Sequence, residues 1–132
     1  MGNANEELVK QGYEAFGKGD MEVLASLMSP DVVHVFPGEN QLAGEYKGQE
    51  DVFGFYGQLF ELSGGTFKVD LKSATAKGDD TVVAAHRGTA ERGGKKLAVD
   101  TTLTFTIEGG KITRLEDSFS TEDQAANDAF WG

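Results

Sequence analysis

Apolar and polar side chains alternate with a period of two through most of the second half of the chain, and glycine-bearing turns separate the alternating runs. Thr81 to Arg92 and Lys95 to Glu108 read as one long hairpin about Gly93-Gly94. A two-residue turn there sets Arg92 opposite Lys95 and fixes every further pair. Arg87 then faces Asp100 and Glu91 faces Lys96 on one side of the ribbon. The other side carries Val82, Ala84, Gly88 and Ala90 against Leu97, Val99, Leu103 and Phe105, with His86 and Thr101 set among them. Two polar side chains are therefore expected on the apolar face.

The run before this hairpin alternates Phe67, Val69, Leu71, Ser73 and Thr75 with Lys68, Asp70 and Lys72. A two-residue turn at Gly78-Asp79 would pair Leu71 with His86 and Val69 with Gly88, so the apolar faces agree. After the hairpin, Glu108-Gly109-Gly110-Lys111 allows two registers. A two-residue loop turns Ile112 inward, whereas a three-residue loop with a glycine bulge turns Leu115, Asp117 and Phe119 inward. The second is preferred, because it buries Leu115 and Phe119 and leaves Arg114 and Glu116 in water.

The first half repeats its apolar residues at helical spacing instead. Leu8, Val9, Gly12, Tyr13 and Phe16 predict a helix from about Asn5 to Gly17. Asp20 can cap a short second helix with Val23, Leu24, Leu27 and Met28 as its apolar face, ended by Ser29-Pro30. Asp31 to Phe36 reads as a strand. A third helix spans about Gln49 to Leu62 through Val52, Phe55, Leu59 and Leu62. Gly54 and Gly57 weaken it by about 1 kcal/mol each relative to alanine, which close contact with the sheet would explain. Thr121 with Gln124 forms a capping box that opens a last helix running through Trp131. Helices followed by a long sheet with one apolar face predict an α+β fold. Its helices pack on a strongly curved, mostly antiparallel sheet that forms a cone-shaped α+β barrel, with Pro37 to Lys47 at the mouth.

Composition narrows the function. A chain of 132 residues with 39% hydrophobic content suits one domain over residues 1–132. No apolar run reaches membrane-span length, and the first residues carry acids and no basic leader, so a cytoplasmic protein is expected. The absence of cysteine removes disulfides and thiolate chemistry, and two histidines are too few for a metal cluster, so no metal or cofactor is expected. Acids outnumber bases 22 to 12, and the net charge of −10 disfavours nucleic acid and anionic membranes as partners.

Several local strings carry a family likeness. They are Gly19-Asp20, Pro30-Asp31-Val32-Val33, Pro37-Gly38-Glu39-Asn40 with Leu42-Ala43-Gly44-Glu45-Tyr46-Lys47-Gly48, Gly110-Lys111-Ile112 and Ala129-Phe130-Trp131. In this order the chain resembles SnoaL-like proteins of the nuclear transport factor 2-like superfamily, kin to ketosteroid isomerase, limonene epoxide hydrolase and polyketide cyclases. The resemblance covers nearly the whole chain and implies the cone fold, while the superfamily hosts several reactions and also non-catalytic binders. The ketosteroid isomerase base position falls on Phe36 and its acidic oxyanion donor near Leu103, which excludes that mechanism. The water-activating Asp-Arg-Asp trio of the epoxide hydrolase matches at Asp117, but Thr89 stands at the other aspartate and Arg87 points outward. The acid on the last strand of SnoaL-type cyclases matches Asp117.

The catalytic candidates are thus Asp117, His86 and His34, the last sharing parity with Val32 and Phe36. An inward histidine bonded only to Thr101 or to backbone would look the same in sequence. Tyr13, Phe36, Tyr46, Tyr56, Leu71, Thr101, Leu103, Phe119 and Trp131 are the expected ligand contacts, with Trp131 either a lid or plain packing. On the outer face Ala98, Thr102, Thr104 and Thr106, with Lys68, Asp70 and Lys72 nearby, suit a homodimer. Two functions follow. One is a cofactor-free enzyme moving protons on a small, mostly apolar ligand, and the other is a non-catalytic binder using the same cone.

Overall fold

The computed structural model describes residues 4–132; residues 1–3, the start of the expected domain and of the segment read for a leader, lie outside the described residues. Four helices and six strands follow in the order α1 (Ala4–Lys18), α2 (Met21–Leu27), β1 (Met28–Phe36), β2 (Gly44–Lys47), α3 (Gln49–Leu62), β3 (Lys68–Ala76), β4 (Thr81–Arg92), β5 (Lys95–Glu108), β6 (Lys111–Ser118) and α4 (Thr121–Trp131). The α+β architecture is the expected one. The strands form a single sheet in the order β2-β1-β6-β5-β4-β3, antiparallel except for the β1–β6 pair. The sheet is open, with β2 and β3 at its edges, so it curls around the helices without closing into a barrel. Among the described residues no helix is long and apolar enough to cross a membrane.

The central hairpin has the register that the alternation predicts, from Arg92↔Lys95 through Leu97↔Ala90 to Thr106↔Thr81. Gly93 and Gly94 both adopt positive φ, at 54° and 83°, which a two-residue turn matched to the strand twist requires and which side chains resist. Val82, Ala84, Leu97, Val99, Leu103 and Phe105 are buried on the inner face, and His86 and Thr101 are buried beside them. Outside, the Arg87 guanidinium donates to Asp100 at 2.9 Å.

Both neighbouring ribbons depart from simple registers. Between β3 and β4 the loop holds three residues, Gly78 to Asp80, because the Lys77 amide donates to the Thr81 carbonyl at 2.8 Å. A bulge between Leu71 and Ser73 absorbs the extra residue. Leu71↔His86 and Val69↔Gly88 pair as expected, but Ser73 and Thr75 point outward while Ala74 and Ala76 turn toward the core. Between β5 and β6 the turn is the two-residue one, with Glu108↔Lys111 and Ile107↔Ile112. The ladder then shifts, leaving Thr113 unpaired in the register, and Thr106 meets Arg114. The expected three-residue loop is therefore absent, and the bulge lies inside the strand. Ile112 and Leu115 are consequently both buried, and Asp117 still faces inward opposite Leu103.

Four smaller expectations change. Strand β1 begins at Met28, with Pro30 in the stretch where pairing with β6 is interrupted, a place that needs no amide donor. In α2 the Asp20 carboxylate caps the Val23 amide, but Val23 itself is 43% exposed, and Leu24 and Met28 carry the packing. Ser120, not Thr121, caps α4, accepting from the Asp123 amide. Gly54 and Gly57 have open space around them, so close sheet contact does not explain them.

The segment from Pro37 to Lys47 closes against α4. One Asp128 oxygen accepts from the Glu39 amide at 3.0 Å and from Asn40 Nδ2 at 2.7 Å, Leu42 is fully buried, and residues 44–47 become edge strand β2. None of these residues lines the interior cavity, which corrects their placement at its mouth.

Candidate functional site

Between the helices and the sheet lies a mostly apolar cavity of about 80 Å³. Helix α1 brings Tyr13 and Phe16 to it, α3 brings Phe55, Tyr56 and Leu59, β1 brings His34 and Phe36, β4 brings His86, and β5 and β6 bring Leu103 and Asp117. Strand phase places each polar group. His34 lies two residues from Val32 and from Phe36, and Asp117 lies two beyond Leu115, whose inward turn depends on the bulge at Thr113.

These polar groups engage one another. His34 Nε2 lies 2.5 Å from Asp117 Oδ1, and His34 Nδ1 lies 2.8 Å from the Tyr56 hydroxyl. A carboxylate only accepts, so Nε2 carries the proton and donates to Asp117. Nδ1 then accepts from Tyr56, which leaves no buried phenol hydrogen unpaired. The chain of donors runs from Tyr56 through His34 to Asp117. On β4 a second pair forms, with His86 Nδ1 2.6 Å from the hydroxyl of Tyr13 on α1. His34 and Asp117 side chains are 7% and 9% exposed, so the pair is screened little by solvent. Among the described residues no group of three or more His, Asp or Glu side chains is arranged to hold a metal ion.

Burial pushes both tyrosine phenols far above their ordinary value of 10.0, and the charge of Asp117 adds to the effect. Burial also pulls His86 below its ordinary value of 6.5, with Asp117 opposing the shift and His34 reinforcing it. The consequence for stability has a definite sign. As pH falls through about 6.5 the unfolded imidazole takes up a proton that the folded ring resists, so the unfolded state binds more protons and the fold weakens. Above about pH 10 the unfolded tyrosines release protons that the folded phenols keep, and the fold weakens again. The urea midpoint is expected to fall on both flanks, and His86→Gln should reduce the drop between about pH 6.5 and 5. A midpoint in that window indifferent to this substitution would contradict the assignment.

Of the residues expected from sequence, Asp117, His86, His34, Tyr13, Phe36, Tyr56 and Leu103 line the cavity. Tyr46, Leu71, Thr101, Phe119 and Trp131 do not. The Tyr46 ring stacks on Phe55 at 4.4 Å and its hydroxyl donates to the Leu42 carbonyl, so it braces β2. Trp131 is fully buried, with Nε1 donating to Asn127 Oδ1, and is an anchor, not a lid. Thr101 and Phe119 belong instead to a broad cleft that also includes Lys72, Asp100 and Ser120. His86 borders both the cleft and the cavity, and among the described residues no other side chain does. Phe16, Phe67 and Phe105 also line the cavity, beyond the ligand contacts expected from sequence. The spacing of Phe16 from Tyr13 on one helix face was the signal that could have found it.

Residues 9–115 match the model of the SnoaL-like domain. An uncharacterized protein of Mycobacterium tuberculosis is 34% identical over 129 residues, covering 98% of this chain and 97% of its own. The structure of Bal32a, from a soil-derived mobile gene cassette, is 37% identical with a TM-score of 0.94, covering 98% of this chain and 97% of that one. The structure of TerC co-crystallized with polyporic acid is 27% identical with a TM-score of 0.79, covering 91% and 94%.

Proposed function

Because the chain belongs to the SnoaL-like family, we propose that it binds a small, mostly apolar molecule in the central cavity and moves a proton on it without a cofactor. The observation that carries this reading is the buried contact between His34 and Asp117 in the wall of an otherwise apolar cavity. Asp117 Oδ1 is held by His34, while Oδ2 has no partner among the described residues and is the oxygen that exchanges a proton with the ligand. His34 orients the carboxylate and is itself oriented by Tyr56. Proton transfer of this kind serves an isomerase, a cyclase or a hydrolase. The co-crystallized ligand of TerC supports a cone that accepts small molecules.

The cavity size limits the ligand. At about 80 Å³ it is roughly half of a cavity known to take up benzene, near 150 Å³. A single ring fills it with some outward movement of the lining. A non-catalytic binder is the second reading, favoured by Phe36 and Leu103 in the lining where related enzymes carry acids. Exposing the protein to cyclopentanone in deuterated water separates the two. Asp117 would take an α-proton, the C–H electrons would form the enolate, and a deuteron would return to carbon, so α-deuteration is the expected product. A ligand found bound by native mass spectrometry, with no α-deuteration above buffer, would favour the binder.

The same reading takes the protein as a cytoplasmic homodimer joined through the outer sheet face, where Ala98 and Thr102 are exposed small residues. Light scattering at micromolar concentration should give twice the chain mass. A single-chain mass would reject the dimer.

A further inference from the structure

The cavity contains two tyrosine–histidine pairs with the same polarity, each phenol meeting a ring Nδ1, from Tyr13 to His86 and from Tyr56 to His34. They differ at the far side of the ring. His34 Nε2 is engaged by Asp117, whereas His86 Nε2 has no partner among the described residues. His86 is 7% exposed, and its ring borders both the cavity and the outer cleft. Tyr13 has no other hydrogen-bond partner for its hydroxyl among the described residues, so if His86 Nδ1 carried the proton the phenol hydrogen would be left unpaired in a buried place. The hydroxyl must therefore donate, and a neutral imidazole that accepts at Nδ1 carries its hydrogen at Nε2.

We propose that Tyr13 is a positioning residue that locks His86 as the Nε2–H tautomer, so that the cavity offers a neutral N–H donor to an acceptor oxygen on its ligand, such as the carbonyl of a small cyclic ketone. This rests on the cavity being the ligand site, as the proton-transfer reading also does. Burial of His86 favours the neutral ring, and burial of Tyr13 keeps its phenol protonated as donor. The two tyrosines so far counted as ligand contacts then serve the ligand through the imidazoles. The donor of His86 and the acceptor Oδ2 of Asp117 give the cavity two unlike polar ends, which selects a ligand carrying an acceptor oxygen near an acidic C–H.

The test uses uniformly 15N-labelled full-length protein and the long-range proton–nitrogen correlations of its histidine rings. The wild type is expected to show His86 protonated at Nε2 and bare at Nδ1 near pH 7.5. In Tyr13→Phe, which keeps the ring packing, the two nitrogen shifts are expected to draw together as the tautomers mix. Cyclopentanone should perturb His86 Nε2 while cyclopentane does not, and Tyr13→Phe should weaken cyclopentanone by about two- to tenfold, leaving cyclopentane unchanged. A purely structural tyrosine would weaken both probes alike. A wild-type Nδ1–H tautomer, nitrogen shifts unmoved in Tyr13→Phe, or equal response to the two probes would each overturn the proposal. Binding of neither probe overturns this proposal together with the ligand site. Carbonyl preference without α-deuteration would sink the proton-transfer reading alone.

Discussion

Asp117→Asn is expected to lower α-deuteration of cyclopentanone by about 10²- to 10⁴-fold while leaving the protein folded. The amide has nearly the size of the carboxyl, and its oxygen can still accept from His34 Nε2, the bond that is 2.5 Å long in the wild type. The group facing the cavity becomes an amide nitrogen, which takes no proton in the working pH range. Binding should therefore survive when turnover does not. Cyclopentane affinity, read by ligand-observed NMR, is expected to match the wild type, and the urea midpoint should change little. His34→Gln should produce a smaller loss, because it removes the group that orients the carboxylate and leaves the carboxylate itself. An Asp117→Asn rate within twofold of wild type would remove Asp117 from the chemistry, whatever the fate of the binding site.

Trp131→Ala is expected to cost about 3–5 kcal/mol of stability, a large share of what a domain of this size possesses. The indole is fully buried and packs its face and edge against Phe130 at 4.7 Å and Phe67 at 6.0 Å between ring centroids. Its removal leaves a void and also deprives Asn127 Oδ1 of its donor, in a side chain whose Nδ2 is already buried without a partner. Helix α4 holds the 37–42 segment through Asp128 and Gln124, so loosening the helix loosens that segment as well. Equilibrium urea unfolding at constant pH measures the effect. A loss below about 1 kcal/mol, with faster ligand exchange, would restore the lid role that the structure denies to this residue.

How much of this was legible in sequence depended on where each irregularity falls. The hairpin through Gly93-Gly94 was readable residue by residue, because its turn and its alternation specify the same register. The flanking ribbons were not. An extra residue in the loop after Ala76 and the bulge near Lys72 compensate each other, so the pairs around His86 came out right while Ser73 and Thr75 were assigned to the wrong face. On β6 the burial of both Ile112 and Leu115 required a bulge that the local sequence does not mark, since Thr113 is unremarkable in an ordinary strand. The inward phase of His34, His86 and Asp117 followed from period two alone. Their partners did not, because contacts between residues 73 and 83 positions apart are set by how helices and strands dock. Edge strand β2 escaped notice because four exposed or half-buried residues have no alternation to read.

The site straddles the sheet's one parallel junction. His34 belongs to the first strand and Asp117 to the last, and they meet diagonally because His34 registers with Leu115. Parallel neighbours so distant along the chain pair late and slowly, since a long loop must close before any contact rewards it. A partly refolded molecule would thus already possess the hairpin that carries His86 while His34 and Asp117 were still apart. The His34–Asp117 contact therefore forms only when the first and last strands have been joined, so the contact itself reports completed assembly.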